Sequence, residues 1–128
     1  MEIRPKIIKA KVYDEMSFGE NFQNSTLRPV IKLQNSLLIA AFRNYIAKHK
    51  NSFHQLPLEK RLSFIENAIQ KDSKFRNAVK GMIIGQFTVE EYEIYTRNSS
   101  ALNKRMMKMV IERLKDQVQL LENQSISL

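Results

Sequence analysis

Apolar residues recur every three or four positions over most of this chain, and that spacing is typical of amphipathic α-helices. The pattern predicts four main helices, which span residues 27 to 50, 57 to 71, 74 to 86 and 89 to 122. The connections between them are short, and short connections favour antiparallel packing of neighbouring helices. We therefore predict an all-α protein, an antiparallel bundle of four main helices.

The two ends of the chain lack this sustained periodicity. Residues Ser17 to Asn21 carry a turn signal, and Asn24 to Thr26 offer N-caps for a helix that begins at about Leu27. Pro29 agrees with that start, because proline is tolerated best in the first turn of a helix. We expect one domain over residues 1–128, with a weakly structured N-terminal arm (1–26) and a frayed tail (123–128).

Helix starts are marked most clearly at Thr88, where Glu91 at the third helical position completes a capping box. Ser73 is the predicted cap of the third main helix. In the last helix the residues on either side of Asn98 to Ser100 fall on the same face when they are placed on one helix, which favours a single unbroken helix. The apolar residues of its C-terminal half have a spacing suited to packing along another helix.

Several polar residues fall on helix arcs that are otherwise apolar. These are Gln34 in the first helix and Thr96, Ser99, Ser100 and Asn103 in the last. A buried polar side chain must find a hydrogen bond or cost about 1 to 3 kcal/mol. These residues either bond one another as a structural layer or line a small polar cavity, with Arg28, Asn35 or Arg105 near its mouth.

The chain is strongly basic, because its 21 Lys and Arg exceed its 13 Asp and Glu and give a net charge of +8. No acidic residue occurs between Glu20 and Glu59, an interval that contains Arg28, Lys32 and Arg43. Such a distribution favours encounter with an acidic protein or a polyanion, and by itself it is also typical of a solvated basic face.

The chain carries few of the residues and motifs that catalysis, metal binding or nucleotide binding requires. It has no cysteine, and two histidines, His49 and His54, are too few for an all-histidine zinc site. Phosphate-binding glycine loops and a nucleophile elbow are absent from the sequence. We predict no catalytic residue, no metal and no cofactor, and the sequence leans away from an enzyme.

Nothing in the sequence suggests a membrane or an export signal. The longest apolar run, Leu37 to Phe42, is far shorter than the ~20 residues of a membrane span, and the N-terminus has no apolar signal core. We therefore expect a cytoplasmic protein.

Three segments carry a resemblance to a known family. They are Arg28 to Asn35, Lys80 to Thr88 and Asn103 to Met106. Together they resemble an uncharacterised family of small all-helical Bacteroidetes proteins, some of which carry a glyoxalase label. The resemblance spans about residues 22 to 117 and implies a helical fold. It transfers no catalytic residue, because glyoxalases of the vicinal-oxygen-chelate type need paired βαβββ modules and a His/Glu metal site.

Three classes of function follow from these features. The favoured one is a helical protein-interaction or regulatory module whose partner is another protein or a second copy. The alternatives are weak non-specific nucleic-acid binding and binding or turnover of a small polar ligand. The candidate residues for binding a ligand or a partner are Arg28, Lys32, Gln34, Asn35, Arg43, Ser99, Asn103 and Arg105.

Overall fold

The structure of the protein, a computed structural model, describes residues 18–121. Within that range the chain is all-α, as predicted. In chain order the helices are α1 (Phe18–Phe22), a π-helical segment (Gln23–Leu27), α2 (Arg28–Leu33), α3 (Asn35–Lys48), a 3₁₀ turn (Ser52–Gln55), α4 (Leu58–Gln70), α5 (Ser73–Ile84), α6 (Val89–Thr96), α7 (Ser99–Asp116) and a last 3₁₀ turn (Val118–Leu121).

The four longest helices form the body of the bundle, and each overlaps one of the four predicted helices. The prediction of one helix over residues 27 to 50 is wrong, because the chain is divided into α2 and α3 at Gln34, whose φ of −89° and ψ of 8° leave the helical region. Helix α4 packs against both α5 and α7, and α7 also packs against α5, α2 and the π-helical segment. The last 3₁₀ turn lies against α3. The frayed tail and the part of the N-terminal arm before residue 18 lie outside the described residues.

The predicted start of the first helix is wrong, because helical backbone already begins at Phe18. Pro29 lies well inside this helical stretch, where it has no N–H for a bond to the carbonyl four residues earlier. The chain adapts by widening into the π-helical segment, in which the Arg28 N–H reaches back five residues to Gln23 O. Phe22 and Thr26, placed in the arm by the sequence, are buried in the core.

The prediction of one unbroken last helix is also wrong. Helix α6 ends at Thr96 and α7 begins at Ser99, with Asn98 between them at φ −150° and ψ 47°. The linking residues form helices poorly, and the Thr96 hydroxyl donates to the carbonyl of Glu93, which satisfies that carbonyl without a continuing helix.

Of the two helix caps predicted from the sequence, one is confirmed and one lies a residue earlier than expected. Thr88 and Glu91 form the predicted capping box, in which Glu91 N donates to Thr88 Oγ1 over 3.1 Å and Thr88 N donates to Glu91 Oε1 over 2.8 Å. At α5 the cap is Asp72 and not Ser73, since Asp72 Oδ1 accepts the Phe75 N–H at 3.1 Å. Either residue type caps well, so the sequence alone could not choose.

The apolar core is continuous and is centred on Phe42. Its ring is fully buried and lies 5.6 to 6.1 Å, between centroids, from four other aromatic rings on α3, α4, α5 and the first 3₁₀ turn. Those rings belong to Tyr45, Phe53, Phe64 and Phe75. The cluster therefore joins four elements through one side chain.

The Phe42→Ala variant should lose about 3 to 5 kcal/mol of unfolding free energy, because truncation leaves a cavity among rings that cannot all collapse into it. Urea unfolding followed by circular dichroism measures the loss. Leu37→Ala on the same helix is the matched control, since Leu37 is half exposed and should cost less than about 1 kcal/mol. Equal losses for the two variants would contradict the central place of Phe42.

Candidate functional site

The structure brings two of the predicted binding residues together in one groove. Arg28 and Lys32, which are one turn apart on α2, line its first wall. The facing wall is the C-terminal half of α7, with Glu112, Arg113 and Asp116. The groove encloses about 670 Å³, and apolar atoms of Pro29, Ile31 and Met109 lie between the walls. We call it the α2–α7 groove.

One end of the α2–α7 groove is fixed by a polar network around Asn35. The amides of Asn35 and Gln117 exchange two hydrogen bonds, with Asn35 Nδ2 donating over 2.8 Å and Gln117 Nε2 donating over 2.7 Å. Arg113 Nη1 also donates to Asn35 Oδ1, at 3.3 Å. Asn35 is thus used to hold α3 to the end of α7. Arg113 and Gln117 were not among the predicted binding residues, because their only signal in the sequence is that two polar residues lie four positions apart on one helix face.

The exposed charges of the α2–α7 groove have opposite signs on its two walls, while Arg113 on the α7 wall is half-buried and donates to Asn35. Arg28 and Lys32 are exposed on α2, and Glu112 and Asp116 are exposed on α7, again one turn apart. None of these four forms an ion pair with a described residue; the ion pair found between two residues of that range is Lys115 with Glu66, at 3.0 Å. Arg28 Nε instead donates to Asn24 Oδ1 at 3.0 Å. The two walls therefore face solvent with their charges uncompensated by each other.

Two other candidates are used to hold elements in place. Arg43 Nε donates to the carbonyl of Leu120 at 2.8 Å and ties the last 3₁₀ turn to α3. Gln34 is half-buried, and its Nε2 donates to Met82 O at 3.0 Å, which links the junction of α2 and α3 to α5. The predicted hydrogen bond of Gln34 is confirmed, although its side chain is less buried than expected.

The remaining candidates lie near the bend between α6 and α7. Asn103 Oδ1 accepts the Tyr95 hydroxyl at 2.6 Å, a contact between residues that would be about 12 Å apart along a straight helix. Ser99 is half-buried at the start of α7. The Arg105 guanidinium packs against Gly19 of α1, and its Nη1 is buried without a hydrogen-bond partner in the part of the chain that the structure describes.

The expected burial of the inward polar residues is wrong. Thr96 and Ser100 are exposed, and Ser99 and Asn103 are only half-buried. The bend at Asn98 turns α7 relative to α6, so the common arc calculated for one straight helix does not exist. These residues do not meet Gln34, whose partner is Met82 on α5.

A second groove, of about 600 Å³, lies between α4 and α7 and carries mainly bases. Arg76, Lys104 and Lys108 line it without an ion pair to a described residue, while Lys115 is paired with Glu66. Part of the Arg76 guanidinium is engaged, since Nη1 donates to Gln70 O at 2.8 Å. We call it the α4–α7 groove.

Tyr45 and Asp72 form a third polar centre, between α3 and the start of α5. The Tyr45 hydroxyl donates to Asp72 Oδ2 at 3.0 Å. Burial, followed by this bond and by the Asp72 charge, raises the pKa of Tyr45 to about 12. The pKa of Asp72 is lowered, chiefly by the hydrogen bond from Phe75 N–H and then by the bond from Tyr45.

No helix between Phe18 and Leu121 combines the length and the hydropathy that a membrane crossing requires. Comparison of the chain with protein-family models, with curated proteins and with solved structures finds no match.

Alkaline titration should separate Tyr45 from an ordinary tyrosine, which ionises near pH 10. Because the folded state holds the Tyr45 proton more tightly than the unfolded chain, the resulting stability is complete below pH 10. It is lost as the pH rises towards 12. Absorbance of the phenolate, recorded for the protein and for Tyr45→Phe, should show a difference curve with a midpoint near 12. A difference midpoint near 10 would contradict the assigned environment.

Proposed function

We propose that the protein is a protein-interaction module that binds a second copy of itself through the α2–α7 groove. The observation that carries the proposal is the pair of oppositely charged walls, Arg28 and Lys32 against Glu112 and Asp116. Charges that are exposed and form no ion pair with any residue from 18 to 121 are available to a partner, and here both signs occur at equal spacing on neighbouring helices.

Two-fold symmetry converts this arrangement into a complementary one. In a two-fold dimer the same patch meets itself, so a residue i that contacts residue j of the partner is matched by j contacting i. The basic wall of each copy then faces the acidic wall of the other. Arg28 and Lys32 are four residues apart, as are Glu112 and Asp116, so the two rows have the same spacing along their helices.

The net charge of the molecule favours this surface over others. Two copies that each carry +8 repel one another in general. The α2–α7 groove combines bases and acids in similar number and is therefore a region where that repulsion is small. Ile31 and Pro29 in its floor are buried and therefore offer little apolar surface to a partner. We expect a dimer held largely by charge and weakened by salt, because screening acts within a Debye length of about 10 Å at 0.1 M salt.

Sedimentation velocity at low salt tests the proposal with two double variants. Arg28→Glu with Lys32→Glu makes both walls acidic, and Glu112→Lys with Asp116→Lys makes both walls basic. Each variant alone should dimerise at least about tenfold more weakly than the native protein, because like charges face each other across the two-fold axis. An equimolar mixture of the two variants should regain association, because opposite walls then meet.

A matched control for the first double variant reverses two exposed lysines away from the groove, Lys50→Glu with Lys60→Glu, which lowers the net charge by the same amount as Arg28→Glu with Lys32→Glu. This control should dimerise as well as the native protein or better. A native protein that stays monomeric at about 100 µM and low salt would refute self-association. A native dimer that both groove variants leave intact would instead move the interface to another surface.

Weak nucleic-acid binding is the second candidate, and the α4–α7 groove favours it. Arg76, Lys104 and Lys108 there have no ion-pair partner among the described residues. Phosphate contacts by such bases are independent of sequence and strongly dependent on salt.

Mobility-shift assays with generic DNA and RNA should detect binding at ~50 mM salt that is lost by ~200 mM. Lys104→Gln with Lys108→Gln should reduce the shift, and Lys50→Gln with Lys60→Gln serves as the control of equal charge. Nanomolar binding retained at ~150 mM salt would place nucleic-acid binding ahead of self-association.

A further inference from the structure

A small cleft between α3 and the first turns of α5 is separate from both grooves. It encloses about 340 Å³. Its floor is formed by Ala41 on α3 and by Phe75 and Ala78 on α5. The two alanines leave open a space that larger side chains would fill, and the volume is within the range of small-molecule sites, which is about 300 to 1,000 Å³.

Aromatic rings form one side of this cleft. Tyr45 packs against His49 and Phe75, with ring centroids 4.2 and 4.4 Å away and interplanar angles of 34° and 38°. The Tyr45 hydroxyl is held by Asp72, and the His49 Nδ1 lies 2.8 Å from the carbonyl of Tyr45. These contacts fix the orientation of the rings, so an apolar planar ligand meets a preformed surface.

The charged side chains that line this cleft are two lysines and one carboxylate, so positive charge is in excess. The carboxylate, Asp72, keeps its charge, and both of its oxygens are engaged within the fold: Oδ1 accepts the Phe75 N–H and Oδ2 accepts the Tyr45 hydroxyl. Lys48 and Lys74 also line it, and both are exposed without an ion pair to a described residue. A lysine at the end of α3, such as Lys48, is favoured by the helix dipole alone. Lys74 is in the first turn of α5, where a positive charge opposes the dipole, so helix stability does not account for it.

We propose that this cleft binds a planar aromatic anion, a ring that carries a carboxylate or a phosphate. The ring lies over Ala41, Phe75 and Ala78, and the anionic group is held by Lys48 and Lys74. Asn44 and His49 also line the cleft and are exposed, so they are further polar groups available to orient the ligand. The site is on the other side of α3 from the residues that tie the last 3₁₀ turn, and it does not depend on dimer formation.

Calorimetric titration of the full chain with four probes tests the class of ligand. The probes are 2-naphthoate, 2-naphthyl phosphate, neutral 2-naphthol and inorganic phosphate. We expect the aromatic carboxylate or the aromatic phosphate to bind with a Kd on the order of 1 mM or tighter. The tighter of those two identifies the anionic group. 2-Naphthol and inorganic phosphate should each bind at least about tenfold more weakly, because each lacks half of the recognised chemistry.

Variants locate the binding at the cleft. Ala78→Leu fills the space and should abolish binding, and because Ala78 is exposed the fold should tolerate the change. Lys48→Gln with Lys74→Gln should weaken binding about tenfold or more. Lys80→Gln, on the same helix but outside the lining, is the charge control and should leave binding unchanged. Circular dichroism confirms that each variant is folded.

The proposal is overturned if neither aromatic anion binds, or if 2-naphthol binds as tightly as both. It is also overturned if Ala78→Leu leaves binding intact, or if Lys80→Gln weakens it as much as the double variant, since either result describes attachment to a generally basic and apolar surface.

Discussion

Pro29 imposes the constraint on which the first half of the structure depends. A proline inside a helix removes one backbone hydrogen bond and crowds the carbonyl four residues earlier. Here the backbone accommodates it with the π-helical segment Gln23–Leu27, and the helical path continues on both sides. The widened turn places Leu27 and Val30 in the core and leaves Arg28 and Lys32 on the surface beside α7. The composition of the α2–α7 groove therefore depends on how one proline was accommodated.

Net charge and local charge carry different information in this protein. The net charge of +8 suggests a surface that attracts acidic partners. In the fold, the bases are divided among regions with different neighbours. They lie beside Glu112 and Asp116 in the α2–α7 groove, outnumber the two glutamates of the α4–α7 groove, and lie next to aromatic rings around Tyr45. Each setting favours a different kind of partner, so the three surfaces have to be tested separately.

Features that depend on a few neighbouring residues could be predicted from the sequence. The Thr88 capping box, the bounds of α4 and α5 and the all-α class needed only local spacing. The errors arose where several local solutions compete. Pro29 suggested the start of a helix because nothing in the sequence marks a π-helical segment that accommodates a proline. The spacing of apolar residues continues across Asn98 and suggested one helix, because that spacing does not show whether the helix axis bends. Asn35 was identified as polar and well placed, but its partner Gln117 is 82 positions away, which no local pattern reveals.

Glu91 has a consequence for how the chain folds. Its carboxylate caps α6 locally and also accepts a hydrogen bond from Thr26 Oγ1, 65 positions earlier, at 3.3 Å. Helix α6 has only eight residues, too few to persist on its own in water. Its formation is therefore coupled to the docking of the π-helical segment, 65 positions earlier in the chain. A loop-closing contact of this range makes the assembly slower than that of a bundle built from neighbouring helices alone.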